Sequence, residues 1–380
     1  MRSWTGIEAK ESCRRLLDLF LVSVLLDAGA GSRWGYKAKN GRTYKRSEGL
    51  AVASLEMFES GMFSSEVSQP CRVDGPALKQ LTPEHMRTGL QVSATNPMDG
   101  LEGRTQLLIR LGQAMDNQTF FGEDGRPGNM LGRTTSSDKG QSANNTPDYL
   151  LAHPTTHDSS ALIVPIPTLW TVIMDGLGPI WPTTRTQIQG RSLGDAWPCS
   201  VLDASSDQPW AHIVPFHKLS QWLTYSLMVP MQKLMKVHFA GAELMTGLAE
   251  YRNGGLLMDT GLLVLRSEDA KRGLALYQQN AQIEGQPNTE VVPMFTPDDD
   301  VVVEWRAVTV GFLDELLPEV NKMLGLQGNN KLNLAQMLEA GTWKVSQKLA
   351  YGRCVCKTDE YIRVDGRLQR SRDQSRGDHR

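Results

Sequence analysis

Metal-ligand patterns are missing from this chain. Its seven histidines offer no ligand pair at helical spacing. His212 and His217 stand five apart, and His85, His153 and His157 are expected in loops or turns. There is no His-Glu-x-x-His, no phosphate-binding Gly-x-x-x-x-Gly-Lys and no dinucleotide Gly-x-Gly-x-x-Gly after a strand. There is no Gly-x-Ser-x-Gly elbow. Cysteine is scarce: Cys13, Cys71, Cys199, Cys354 and Cys356 are five in all. An odd, scattered set argues against a disulfide framework and for reduced thiols in the cytoplasm. Cys354-Val355-Cys356 lacks the second pair of a zinc site. No metal and no cofactor are expected. Neither charge sign dominates: the formal net charge is -2, so no global field draws the protein to nucleic acid or to a membrane. The longest apolar stretch near the N-terminus, Leu16 to Ala30, contains Asp18 and Asp27 and is too short to span a bilayer. It lacks the small-residue cleavage site of a signal peptide, and Glu8, Lys10 and Glu11 precede it.

What is present is enough apolar sequence for a sizeable core. The 380 residues permit one large domain or several ordinary ones. Leu16, Leu17, Phe20, Leu21, Val24, Leu25 and Ala28 recur at helical spacing and predict a buried helix over 14–30, ended by Gly29-Ala30-Gly31. Ser47 to Ser60 predicts a second helix with a narrow apolar stripe. Thr82-Pro83-Glu84 opens a third, with Thr82 as N-cap and Pro83 as the first helical residue. Leu101 to Leu111 predicts a fourth. Ala161 to Gly176 is expected to be helical after Pro165 or Pro167. Leu219 to Lys236 is a strong helical pattern, kinked or interrupted at Pro230. Val301-Val302-Val303 suits a strand by residue type, but the continuation to Leu317 has helical period, so one long helix from near Asp300 is favoured. Asp298, Asp299 and Asp300 fit its N-terminus, where the helix dipole favours negative charge. Leu332 to Ala340 predicts a short helix. The fold class expected is mainly α, a single helical domain over 14–350 with a few short strands.

Two segments fall outside that pattern. Residues 114 to 160 turn polar, and Arg133 to Asp148 in particular is too poor in apolar residues to order itself, so a disordered insert is expected at about 124–160. Residues 351–380 mix Lys and Arg with Asp and Glu and have few apolar side chains. They read as a disordered charged tail whose slight basic excess would bind nucleic acid only weakly.

Polar clusters set in apolar sequence carry the functional signal. Glu250-Tyr251-Arg252-Asn253-Gly254-Gly255 puts a carboxylate, a phenol, a guanidinium and an amide side by side before an apolar run that ends in Leu263-Val264-Leu265 and contains Asp259. A polar small-molecule site needs such convergent groups, and the paired glycines allow close backbone approach. The same residues also suit a helix N-terminus with an internal ion pair. The other clusters are Arg46 to Gly49, Asn96 to Arg104, Arg191 to Trp197, Pro215 to Ser226, and Glu304-Trp305-Arg306. His217 and Lys218 also suit a solvated first turn. Trp222 and Tyr225 also suit a core face. Glu304 and Arg306, two apart, are not a helix-face pair. Buried without partners, such groups cost about 1–3 kcal/mol each, and a ligand rich in hydroxyls would supply them.

In this order the clusters resemble the uracil catabolism protein 4 family of fungi and bacteria. The resemblance runs through Val22 to Gly31, Arg46 to Ala51, Gly178 to Pro182, Pro215 to Ser226, Glu250 to Leu257, Glu304 to Ala307 and Leu338 to Trp343, and covers residues 16 to 348. Family members carry a further segment before the helix at Leu16, where this chain has a short lead, and the stretch after Lys348 looks foreign. A truncated or mis-spliced gene would give such ends. A fainter resemblance is to the queuosine salvage N-glycosylases, which are mostly helical. They carry Lys-x-x-Gln on a helix, then Asp-Tyr-Arg, then Glu-x-Arg-Ala. Lys218 and Gln221 match the first, Glu250-Tyr251-Arg252 the second with Glu for Asp, and Glu304 and Arg306 the third. A second aspartate of that family falls near Ser226.

These resemblances imply pyrimidine catabolism, with release of urea from a ribosyl-urea, free or phosphorylated. Breaking that C–N bond builds positive charge at the anomeric carbon, which a carboxylate stabilises. They imply Glu250 as the catalytic carboxylate, with Asp259 or Glu304 orienting ribose hydroxyls or Arg252. They imply a phosphate grip by Arg252 or Lys218. Gln221, Tyr225, Ser226, Tyr251, Asn253, Arg306 and His217 complete the expected substrate-binding set. No cofactor or metal is needed. The expected partner is a small molecule, not nucleic acid or membrane, with other enzymes of the pathway as candidate protein partners. Two rival expectations stand beside this one: another hydrolase of the ring-opened pyrimidine, or a non-catalytic partner of the ring-opening enzyme.

Overall fold

The computed structural model describes residues 4, 6–27, 29–31, 33–132, 149–158, 160–202, 208, 210–282, 291–342 and 363–364. The fold is mainly α with a few short strands. Its contacts gather into two compact units, one formed by residues up to 183 with 219–244, the other by 184–218 with the chain from 245 to 372.

In the first unit, α1 (Ala9–Leu26) buries Cys13, Leu17, Leu21, Val22, Leu25 and Leu26, the apolar face that the sequence period implies. Next come α2 (Arg46–Glu59), α3 (Gly75–Lys79), α4 (Pro83–Gly89), α5 (Leu101–Ala114), α6 (Gln118–Phe121), α7 (Ile166–Thr171) and α8 (Lys218–Met235), whose body belongs here. Thr82 caps α4, accepting the His85 N–H at 3.2 Å. Trp34 is fully buried and donates its indole N–H to the Leu90 carbonyl at 2.9 Å. Gly49 lies so near it that a Cβ would stand 2.8 Å from the Trp34 ring.

The helix expected after Pro165 or Pro167 begins at Ile166, directly after Pro165. Leu162–Pro165 is a strand, paired antiparallel with His157–Asp158 and parallel with His238–Ala240. The helical part is α7 followed by one wide turn over Val172–Gly176. β-branched residues accept either state, and a partner strand some 75 residues away in sequence decides it.

The disordered insert expected from about 124 is corrected at its start. Pro127–Leu131 forms a buried 3-10 turn. Arg126, only 3% exposed, donates from Nε to Asp18 Oδ2 at 2.7 Å and from Nη2 to Glu11 Oε1 at 2.9 Å. Gly128 donates its N–H to the other Asp18 oxygen at 2.7 Å, and Asn129 accepts from Arg14. A Cβ at Gly128 would lie 2.7 Å from the Arg14 carbonyl oxygen, so only glycine permits this approach to α1. Residues 149–158 are also described, and Leu150 is buried. Residues 133–148 lie outside the described residues.

In the second unit the helices are α9 (Tyr251–Asp259), α10 (Ser267–Ala281), α11 (Asp300–Met323) and α12 (Leu334–Met337). The long helix expected from near Asp300 is α11. Asp299 caps it, accepting the Val301 N–H at 3.0 Å. Residues 332–340, expected as one short helix, form α12 and then a wide turn over Leu338–Thr342. Cys199, Phe216, Ala249 and Val303 form one buried cluster, with Trp197, Val214, Ala307 and Val310 packed on it. Phe295 and Val302 centre another. Trp197 and Phe216 reach the first cluster from an antiparallel pair, Ala196–Pro198 with Ile213–Pro215. Short ladders also join Gln187–Ile188 to Arg191–Ser192 and Met294–Phe295 to Arg363–Val364. The rest of the expected tail over 351–380 lies outside the described residues. Among the described residues no helix is long and apolar enough to cross a membrane.

Candidate functional site

Three clusters separated in sequence meet at one carboxylate in the second unit. Asp195 sits in the loop before the strand Ala196–Pro198, its side chain 13% exposed. Its Oδ1 accepts the Trp197 indole N–H at 2.7 Å and Arg306 Nη1 at 2.9 Å. Its Oδ2 accepts Arg306 Nη2 at 2.7 Å and the Lys218 backbone N–H at 2.9 Å. Its main-chain oxygen accepts the N–H groups of Phe216 and His217, both at 3.0 Å. Burial alone would raise the carboxyl pKa. The hydrogen bonds and charge of Arg306, with the Trp197 and Lys218 N–H groups, outweigh it and bring the pKa down to about 2. Asp195 is therefore an anion throughout the physiological range.

This carboxylate sets the local backbone. His217 is held at φ +47°, a left-handed conformation unusual for a side-chain-bearing residue, directly before α8 begins. Two N–H groups and the turn at Lys218 all close on Asp195. Burial pushes the His217 imidazole pKa down, against the pull of Asp195, so the ring is neutral at pH 7.

Arg306 is turned to this hub rather than outward. Besides its two-pronged grip on Asp195 it donates Nε to the Ala249 carbonyl at 3.2 Å. Its guanidinium lies 4.1 Å from the centre of the Phe216 ring. Ala249 precedes Glu250, so Arg306 joins the Glu250 segment to the His217–Lys218 turn. Glu304, two residues earlier, points elsewhere on α11 and pairs with the exposed Arg266 at 2.9 Å. Residues two apart on a helix diverge by about 200°, so the acid and the base of Glu304-Trp305-Arg306 serve different neighbours.

Glu250 is the N-cap residue of α9, half-buried at the positive end of the helix dipole, where a carboxylate is favoured. Its side chain does not cap the helix. Its backbone N–H bonds the Leu248 carbonyl at 2.9 Å. Tyr251 is exposed, and the Arg252 guanidinium lies 5.8 Å from its ring centre. Asn253 is 1% exposed. It donates to the Leu248 carbonyl at 2.9 Å and accepts the Thr342 hydroxyl at 2.8 Å, which is a structural clamp. Asp259 closes α9 nine residues after Glu250, about 13 Å along the axis at 1.5 Å per residue. The two carboxylates stand at opposite ends of the helix.

On α8, Lys218, Gln221 and Tyr225 share a face by their three- and four-residue spacing. Gln221 is buried and Tyr225 half-buried. The Ser226 hydroxyl donates to the Trp222 carbonyl at 2.9 Å within the helix. Among the described residues no group of three or more His, Cys, Asp or Glu side chains is placed to hold a metal ion.

Asp195 and Arg185 are site residues that no sequence motif marks. Both lie in the Gly- and Pro-punctuated stretch 178–198, where spacing carries no period. The local signal is the run Arg191 to Trp197, which is polar without marking a hub. Arg185 lies over Trp197, 4.5 Å from guanidinium to ring centre.

The chain matches, over residues 1–364, the family described as "Protein of unknown function (DUF1688)". It belongs to the DUF1688 family. The match is wider than the span 16–348 over which the sequence motifs run. Within it, the chain is 42% identical over 357 residues to "Uracil catabolism protein 4" of Lachancea kluyveri, covering 92% of this chain and 75% of that protein. It is 42% identical over 345 residues to "Protein urg3" of Schizosaccharomyces pombe (strain 972), covering 91% of this chain and 72% of that protein. The Asp195 hub, the His217–Lys218 turn, Glu250 and Arg306 all fall inside the family match.

Proposed function

We propose that this DUF1688 protein acts in uracil catabolism as a metal-independent N-glycosyl hydrolase that releases urea from a ribosyl-urea. The printed name of the L. kluyveri relative supports the pathway. The observation that carries the site is the hub at Asp195, which holds the Lys218 backbone and the Arg306 guanidinium, while Arg306 also holds the carbonyl beside Glu250. Three motif segments thus have one origin, and Asp195 neutralises Arg306 so that Glu250 need not.

In this reading Glu250 faces the anomeric carbon. The C–N bond breaks with its electron pair on the urea nitrogen, which takes up a proton. Positive charge on the sugar is stabilised by the carboxylate; as water adds to the anomeric carbon it gives a proton to Glu250, which releases it to solvent and so replaces the proton that solvent supplied to urea. One water is consumed, and ribose and urea are formed. Lys218 or Arg252 would hold a 5′-phosphate when one is present; an arginine suits a two-pronged grip. Glu304, paired with Arg266, is a poorer candidate for a ribose contact, and Asp259 stands at the opposite end of α9 from Glu250. This reading assigns the activity to the cytoplasm, on a small molecule.

The test is to incubate the purified protein with synthetic ribosyl-urea and with its 5′-phosphate and to assay urea. Release from one of them is expected. Glu250→Gln, which keeps size but removes charge, is expected to lower turnover by about 10²–10³-fold with ligand binding retained. No urea from either compound would overturn the reaction. Near-normal turnover by Glu250→Gln would overturn the assignment of the carboxylate.

A further inference from the structure

The second unit holds more positive charge around Asp195 than Asp195 neutralises. Its carboxylate has four donors, two of them from Arg306. Arg185, which feels the charges of both Asp195 and Arg306, remains. Arg185 is half-buried, its guanidinium carbon over the Trp197 ring at 4.5 Å from the centre, and the Trp197 N–H is fixed on Asp195. None of the guanidinium donors of Arg185 makes a hydrogen bond to the described residues.

A guanidinium held over a ring keeps its edge, with the N–H donors in one plane, open to an oxyanion. Desolvation lowers the Arg185 pKa, the nearby charge of Arg306 acts the same way, and Asp195 only partly opposes them. The charge of Asp195 reaches Arg185, but no carboxylate of the described residues forms an ion pair with it.

We propose that Arg185, held over the Trp197 ring, grips the phosphate of the ligand through the edge of its guanidinium. This deepens the reading of the site as one for a phosphorylated ribosyl-urea, and it rests on that reading for the identity of the ligand. Arg185 is then a specificity-determining residue that separates phosphorylated from unphosphorylated substrate. Arg252, which lies against Tyr251, is left free of that role.

Inorganic phosphate is the probe, titrated calorimetrically into wild type, Arg185→Ala, Arg185→Lys and, as a remote control, Lys322→Ala. Lys322 is exposed near the end of α11 beside Glu319. Wild type and Lys322→Ala are expected to bind phosphate alike. Arg185→Ala is expected to bind it at least about tenfold more weakly, and Arg185→Lys to lie between, because it keeps charge and loses the two-pronged grip. Should Arg185→Ala fail to fold, Arg185→Lys decides alone. Unchanged affinity in the Arg185 variants, equal weakening in Lys322→Ala, or no binding by wild type would overturn the proposal. Urea assays separate it from the reaction. Arginine-dependent phosphate binding without urea release from either compound would leave the anion site standing and remove the reaction. Urea release from the phosphorylated compound with a KM untouched by Arg185→Ala would leave the reaction and remove the anion site.

Discussion

Replacing Asp195 by Asn tests the hub directly. The amide keeps the shape and can still accept from Trp197 or Lys218, but it cannot neutralise Arg306, whose side chain is 16% exposed. The magnitude follows from the pKa. The carboxyl falls from 3.8 to about 2 in the folded protein, which corresponds to about 2.4 kcal/mol of stability. Removing one partner of a buried pair costs about 3–5 kcal/mol, and the slight exposure of this pair sets it at the lower end. A loss of about 2–3 kcal/mol is therefore expected at pH 6. A depressed folded pKa contributes fully above the unfolded value, and the contribution fades as pH falls through the folded one. The gap between wild type and Asp195→Asn should be open at pH 6, narrowed to about half by pH 3 and almost closed below pH 2. Urea unfolding followed by tryptophan fluorescence at pH 6 and pH 3 reads this difference. Equal stabilities at pH 6, or a gap that does not narrow on acidification, would refute the reasoning.

Two further substitutions probe packing. Arg126→Leu leaves the fully buried Asp18 without its main counter-charge, and a loss of about 3–5 kcal/mol is expected in thermal or urea unfolding; the double variant with Asp18→Asn should recover much of it, and additive losses would argue that the pair is not coupled. Gly254→Ala would put a methyl 2.6 Å from the Trp305 ring and 2.8 Å from the Thr309 hydroxyl. Overpacking of that kind costs about 1–3 kcal/mol, and an alanine variant as stable as wild type would show that α9 and α11 can separate without cost.

Much of the helical frame was legible because it is local. The aspartates before Val301 and the period through Leu317 mark α11, and Asp299 does cap it. Thr82-Pro83 marks α4 for the same reason: cap and first-turn preferences act within a few residues. Pro230 sits inside α8 without ending it, which local preference alone did not decide. In the site, the divergence of Glu304 and Arg306 follows from helical geometry, but their partners Arg266 and Asp195 do not.

The sequence by itself determined the mainly helical class, the principal helix positions and the segments whose polar groups needed partners. These depend on period, capping and composition, which are properties of neighbours along the chain. Tertiary structure alone decided that Leu162–Pro165 is a strand, because its partner His238–Ala240 is distant in sequence. It alone decided that polar Arg126 and Asn129 are buried, because Glu11, Asp18 and Arg14 supply their contacts from α1. It also chose Asp195 as the hub. One carboxylate among 42 acidic residues has no local mark, and only the fold brings four donors from three segments onto its two oxygens.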